Sequence, residues 1–496
     1  MAFDAEELAV DSPPIVVQEG SKDGAAAWRP LFRHECSFDA AIFVDIMINL
    51  IKNPNINSSW LFRADILHDQ GGTQPLTVPP AEVSASIPEF SGFQLQRCMI
   101  RKLIPRNTLR DAPLDQTCLI YDNSLPGDDP ARRTLVVYLP HVASEAEVPF
   151  YHPKVRGIAF LHEWTCAKSS GSISISYLYF HESDRTAETK VTRTAFHLLA
   201  VIHKHGQGRV NGYKKRVHHD VVLPQARVQD RYTSLKQKYA RGLIEKWAES
   251  TDPVKHVFED LGIAAFLLEL WADMYPQQNP FPGFVDIGCG NGLLVYILNQ
   301  EGFRGWGFDA RSRKSWAAYN TELQLPGTAQ KEDSLRQLVL LPSSVTSGTD
   351  GFTAGQIHDG CFPSGTFIIS NHADELTPWT PILATASDCP FIMIPCCSHN
   401  LTGERFRAPP PKDKTKSESA YSSLVAWASQ IATDCGWEVE QEMLRIPSTR
   451  NTALLGRRRL TKSSAVDIET IVVRYGGTAG YAENVAKLVN RASGDH

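Results

Sequence analysis

Apolar residues recur along the chain with two periods. After Cys36, AIFVDIMINLI keeps the three-to-four-residue spacing of an amphipathic helix, whereas TLVVYLP and GSISISYLYF are the short apolar or alternating runs of strands. Residues 231–250 repeat Leu235, Tyr239, Leu243 and Trp247 every four positions, which predicts a helix. A second helix is predicted from Asp252 and Pro253, a capping acid and a first-turn proline, to the Pro-rich break at 276–282. Beyond the break, short apolar strands (FVDI, GWGFD, TFIIS, FIMI) alternate with helical stretches. A helix in YSSLVAWASQIATDCGW and strands in WEVEQEMLRI and RNTALLGRRR follow, and YAENVAKLVNRA predicts a short terminal helix. This order predicts an α/β fold, a Rossmann-like seven-stranded sheet ending in an antiparallel hairpin, preceded by an α+β amino-terminal domain.

Length and charge sharpen that outline. At 496 residues the chain exceeds one typical domain. The expected division is a disordered tail over 1–26, an α+β domain over 27–220, the sheet domain over 228–460 and a helical tail over 461–496. Fifty Lys and Arg against 55 Asp and Glu give a net charge of −5, so no global basic field announces DNA, and any RNA contact must be local. The stretch HKHGQGRVNGYKKRVHH, 203–219, reads equally as a phosphate-contacting segment or a solvated linker. The acidic first 26 residues lack a signal peptide's basic start and apolar core, and no run approaches the roughly 20 apolar residues of a membrane span. The ten cysteines are scattered without CxxC spacing, so they are expected to be reduced. Cys396, Cys397 and His399, crowded within four residues and without a second ligand pair, give poor tetrahedral geometry, so no metal site is expected.

FVDIGCGNG carries the sharpest chemistry. A strand runs straight into Gly288, Gly290 and Gly292 and then a helix, the arrangement in which the backbone turns tightly and approaches a ligand while the helix start offers free N–H groups. The next strand, GWGFDA, ends in Asp309, 19 positions after Gly290, where an acid can accept both hydroxyls of an adenosine ribose. Asp286 stands immediately before the first glycine. It would repel a diphosphate and welcome a sulfonium and an ammonium, which favours S-adenosylmethionine over a nicotinamide cofactor. Asn291 joins the loop, and Cys289 reads as a small apolar filler.

On the acceptor side, TFIISNHADELTPWTP crowds polar residues at the end of a buried strand, the rim where open α/β sheets bind ligands. His372 is a candidate proton shuttle and Asp374 a candidate orienting group, with Lys314 as a further catalytic candidate; Asp374 and Glu375 could instead cap a helix. Cys396 and Cys397 after FIMIP offer a rival mechanism, since carbon-five pyrimidine methyltransferases present a thiolate after a core strand. Residues 401–420 read as a mobile loop whose Arg405, Arg407, Lys412, Lys414 and Lys416 are placed to meet an RNA backbone.

Several stretches resemble the fungal and animal tRNA (uracil-2'-O-)-methyltransferases that act on uridine 44 of serine tRNA. They are HHDVVLPQARVQDRYTSLKQKYA, ESTDPVKHVFEDLGIAAFLLELW, FVDIGCGNGLLVYILNQEGFRGWGFDARSRKSW, NHADELTPW, IPCCSHNLTGERF and RIPSTRNTALLG, spanning about 218–456. The resemblance implies a class I methyltransferase domain, ribose methylation in a cytoplasmic tRNA-modifying enzyme, and cofactor contacts at Asp286, Gly288, Gly290 and Asp309. The Lys-Asp-Lys-Glu tetrad of commoner ribose methyltransferases has no convincing counterpart here. A noncatalytic tRNA-binding module is the remaining alternative.

Overall fold

The computed structural model describes the chain except residues 1–2, 10–11, 15–17, 19–27, 72–86, 109, 124–130, 182–188, 214–218, 277–279, 325–330, 344, 346–351, 414–418 and 491–496. Two compact units divide at 215/216. The boundary falls earlier than the sequence spacing placed it because the buried Glu442 carboxylate accepts the backbone N–H groups of Asp220, Val221 and Val222 at 2.7–2.9 Å, tying this strap to the second unit. Lys214, Lys215 and Arg216 of the basic stretch lie outside the described residues.

The first unit is an eight-stranded antiparallel sheet. Its strands are β1 (Glu6–Glu7), β2 (Arg29–Cys36), β3 (Leu61–Gly71), β4 (Gln94–Pro105), β5 (Leu114–Asp122), β6 (Ala131–Pro140), β7 (Gly157–Thr165) and β8 (Ser170–Leu178), in the order β1-β2-β8-β7-β6-β5-β4-β3. Helices α1 (Ala40–Lys52) and α2 (Thr189–Val210) supply Phe43, Met47, Leu50, Ala195 and Leu199 to one face. Period-two alternation explains the layering: Val136 and Tyr138 of β6 join that core, and Leu135 and Val137 join a smaller one with Trp28 and Phe90. Part of the segment expected as a tail is an edge strand, since Glu6 and Glu7 pair with Arg33 and Phe32.

The second unit begins with α3 (Gln225–Glu245) and α4 (Pro253–Met274). Asp252 caps α4 by accepting the N–H groups of Val254 and Lys255, with Pro253 in the first turn. Then come β9 (Phe284–Ile287), α5 (Leu293–Gln300), β10 (Gly305–Asp309) and α6 (Trp316–Tyr319), and two small pairs, β11 (Glu322–Gln324) with β12 (Lys331–Asp333) and β14 (Val339–Leu340) with β15 (Ile357–His358). The remaining elements are β13 (Leu335–Gln337), β16 (Phe367–Asn371), α7 (Thr380–Ala386), β17 (Phe391–Ile394), α8 (Ala420–Asp434), β18 (Trp437–Met443), β19 (Thr452–Arg459), α9 (Ile468–Arg474) and α10 (Tyr481–Asn490).

Seven strands form one sheet in the order β13-β10-β9-β16-β17-β19-β18, with the first five parallel and β19 antiparallel to both neighbours. Continuous apolar strands need cover on both faces. Helices α4 and α5 bury Leu261, Trp271 and Leu294 on one side, and α7, α8 and α9 bury Ile382, Ile431 and Ile471 on the other. The chain leaves β9 to one side for β10 and returns on the other as β16, which opens a crevice beyond the carboxyl ends of these strands. Residues 461–490 are no appendage: Tyr481 of α10 is fully buried and donates its hydroxyl to the Leu340 carbonyl at 3.0 Å.

Candidate active site

That crevice is a cavity of about 990 Å³. The strand β9 delivers Asp286 to it, and the following loop runs through Gly288, Gly290 and Gly292 at φ of +73°, +54° and +75°, a region side-chain-bearing residues rarely adopt. Gly288 and Cys289 donate their N–H groups to the Phe308 carbonyl, so the loop is pinned to β10. A Cβ on Gly290 would meet no protein atom within 4 Å, which leaves the space beside it open to a ligand. Asn291 lines the cavity while its Oδ1 accepts the Leu293 N–H at 2.8 Å, satisfying one free donor of α5. At the tip of β10, Asp309 accepts the Gly290 N–H at 3.1 Å and the Arg311 N–H at 3.2 Å, which fixes its carboxylate at the rim.

Asp286 is 2 % exposed and its Oδ1 has no hydrogen-bond partner. Burial, then the neighbouring Asp260 and Asp309 charges, push its carboxyl well above the usual range. The helix α4 contributes two acids that sequence reasoning missed. Asp260 is pushed up to about 8 by burial and by Glu259. Burial acts to raise Glu259 too, but its hydrogen bond and charge attraction to His372 prevail and lower it. The signal was present in VFEDLGIAAFLLELW: two adjacent acids in an apolar helix whose positions 259 and 260 are both buried. Glu375, one of the polar residues the sequence placed at this rim, is raised to about 7 by burial, then by Asp374 and Asp309.

At the end of β16, His372 Nε2 lies 2.9 Å from Glu259 Oε1, and both residues line the cavity. With the Nε2 proton given to Glu259, the buried Nδ1 is a lone pair without a partner. His372 and Asp374 sit at φ of +52° and +41°, strained positions for residues other than glycine. Asp374 does not cap a helix: its Oδ1 accepts the Cys396 thiol at 2.9 Å. Burial and this carboxylate hold the Cys396 thiol far above its ordinary range, and Cys397 is raised by the same causes, so neither is poised as the thiolate of the carbon-five mechanism. Three metal-capable atoms, from Asp374, Cys396 and Cys397, lie within 4.8 Å of one another, a grouping that the linear spacing did not reveal.

Lys314 is exposed and is not among the residues lining the cavity, since the turn after β10 directs Arg311 and Arg313 there instead. The segment expected as a mobile loop contributes Gly403, Glu404 and Arg405 to the wall and buries Leu401 completely; Lys414 and Lys416 lie outside the described residues.

Residues 6–216 match a family described as "TRM44-like, N-terminal bet v1-like domain", and residues 222–330 one described as "Predicted AdoMet-dependent methyltransferase". A Neurospora crassa protein named "tRNA (uracil-O(2)-)-methyltransferase" is 63 % identical over 99 % of this chain and 99 % of its own. Proteins of the same name from Schizosaccharomyces pombe and Saccharomyces cerevisiae are 39 % and 36 % identical, each over 95 % of this chain and 94 % of its own. The chain belongs to the tRNA (uracil-O(2)-)-methyltransferase family. In this methyltransferase the cofactor is S-adenosylmethionine, and the residues present fit it. A sulfonium and an ammonium relieve the repulsion among Asp286, Asp260 and Glu259, the orphaned Asp286 oxygen gains a partner, and the space beside Gly290 admits a flat ligand.

Proposed function

We propose that this enzyme methylates the ribose 2'-hydroxyl of a uridine in tRNA, position 44 of serine tRNA, in the cytoplasm, and that its parallel sheet is the Rossmann-like core of a class I methyltransferase. The relatives' name puts tRNA and a uridine oxygen on the acceptor side. The cofactor, when bound, supplies an electrophilic methyl group. Asp286, the Gly288 and Gly290 backbone and Asn291 hold its amino acid end, and Asp309 holds its ribose.

One observation carries the choice of oxygen. A hydroxyl must lose the proton on the attacking oxygen itself, whereas a uracil carbonyl oxygen carries none and its ring would shed the N3 proton instead. The His372–Glu259 pair lines the cavity, and with its Nε2 against Glu259 the imidazole keeps an unpartnered Nδ1, which supports its taking such a proton. Asp374 orients the acceptor beside it, and the crevice aligns the reacting groups.

Incubating the purified protein with S-adenosylmethionine and serine tRNA, then digesting to nucleosides for mass spectrometry, should yield 2'-O-methyluridine. A methyl group on the base, or none, refutes the reading. Asp374→Ala and His372→Ala should each abolish turnover while calorimetric binding of the cofactor survives.

A further inference from the structure

A second cavity, of about 570 Å³, lies wholly within the amino-terminal unit, between the sheet and α2. Its charge is opposite to that of the methyl-transfer site. Arg101, Lys190 and Arg193 line it and no carboxylate does among the described residues, although the chain as a whole carries a net charge of −5.

Its floor is built and locked. Arg101 is 4 % exposed, and all its hydrogen-bond acceptors are neutral: Gln116 Oε1 at 2.6 and 3.0 Å and the carbonyls of Leu50 and Ile51 at 3.2 and 2.6 Å. Gln116 in turn lies 3.0 Å from His152 Nε2, whose Nδ1 reaches the Pro153 carbonyl at 2.7 Å. A carbonyl can only accept, so Nδ1 carries the proton and Nε2 accepts from Gln116. A buried guanidinium with no counter-charge is unfavourable on its own and calls for an electron-rich partner. Beside it Tyr138, 3 % exposed with its ring 4.9 Å from the Arg101 guanidinium carbon, has a hydroxyl with no partner.

The mouth is aromatic and cationic. Trp60 and Phe150 meet edge to face at 5.3 Å and are 45 % and 52 % exposed, unusual for such large apolar rings. The ammonium of Lys190 stands 3.8 Å from the Phe150 ring centre, and Arg193 is exposed on the same helix. Lys190 also donates to the Phe150 carbonyl at 3.1 Å, and neither cation forms an ion pair among the described residues. Aromatic rings beside cations are the two elements of single-stranded nucleic acid recognition.

We infer that this cavity receives one nucleotide of the tRNA, its carbonyl-bearing base turned in toward Arg101 and Tyr138 and its phosphate held outside by Lys190 and Arg193. The inference rests on the reading that tRNA is the substrate. A floor of donors selects a keto base over an amino one, and the Phe150 ring at the mouth with the apolar walls from Leu61, Leu103 and Ile158 accepts its faces.

The test uses the full chain. Arg101 supports α1 and its loss could unfold the unit, so the variants are Phe150→Ala and Arg193→Glu, both at exposed positions. Phe150→Ala should weaken tRNA binding, read by fluorescence anisotropy, at least about fivefold, the lower end for loss of one base–aromatic stack. Arg193→Glu should weaken it further and reduce the slope of log affinity against log salt by about one. Binding of S-adenosylmethionine should be unchanged in both. In a displacement arm, tRNA should expel the probe 1-anilinonaphthalene-8-sulfonate from the cavity. If wild-type protein binds and methylates tRNA but both variants bind it equally well, or if oleate expels the probe and tRNA does not, the inference fails while the function stands. If wild-type protein binds no tRNA, the functional reading falls first and takes this one with it.

Discussion

Asp260 offers a direct test of the idea that the acids around the cofactor site are held at the expense of stability. Its carboxyl, ordinarily near 3.8, is pushed up to about 8 in the fold by burial and then by the Glu259 charge. Below about pH 4 the group is protonated in both folded and unfolded chains, so it contributes no pH dependence there. As pH rises from 3.8 toward 8, the unfolded chain releases the proton and the folded one keeps it, and stability falls by about 1.4 kcal/mol per pH unit. At pH 7 the interval is 7 − 3.8 = 3.2 pH units, so the penalty approaches about 4 kcal/mol. Asp260→Asn keeps the shape, cannot ionise and can still meet Asn371, whose Nδ2 lies 3.5 Å from Asp260 Oδ1. The variant should therefore melt about 10 °C higher than wild type at pH 7, taking 2–4 °C per kcal/mol for a domain of this size, with the gap closing toward pH 4. Scanning calorimetry of both proteins from pH 4 to 8 measures it. A cationic cofactor favours the ionised acid, so S-adenosylmethionine should raise the melting temperature of wild type more than that of the variant. Parallel pH curves, or a variant less stable at pH 7, would refute the reasoning.

Other changes separate binding from folding and from chemistry. Gly290→Val places a side chain where no protein atom lies within 4 Å, so it should abolish cofactor binding in calorimetry while the strained φ lowers stability by only about 1–3 kcal/mol. Because Cys396 and Cys397 are held as thiols, the double change to Ser should retain methylation; loss of activity with cofactor and tRNA binding intact would reinstate a thiol role. Glu375, raised to about 7, ionises as pH climbs through that value, so cofactor affinity should increase between pH 6 and 8 in wild type. Glu375→Gln should flatten that rise, and an unaltered profile would remove Glu375 from the site.

The chain's local spacing was enough to bring the residues proposed for the methyl donor to one place. A strand, three glycines, a helix and an acid 19 residues later are contiguous, and their geometry follows from backbone sterics within one βαβ unit, so Asp286, Gly288, Gly290, Asn291 and Asp309 were legible and all line one cavity. Most strands and helices were legible for the same reason, because apolar periodicity is a local property. The tertiary structure decided what converges on that unit. Glu259 meets His372 across 113 positions, and no local rule links an acid within an apolar helix to a histidine at a strand end. Lys314, the residue directly after the lining residue Arg313, is exposed and lines no part of the cavity, and Tyr481 reaches it only because α10 packs back onto the sheet. In the amino-terminal unit, Arg101 and Tyr138 lie on strands β4 and β6 while Lys190 and Arg193 lie on helix α2, and each is unremarkable in its own segment. Their meeting around one cavity is a product of strand order, which burial of whole faces sets and which no single segment encodes.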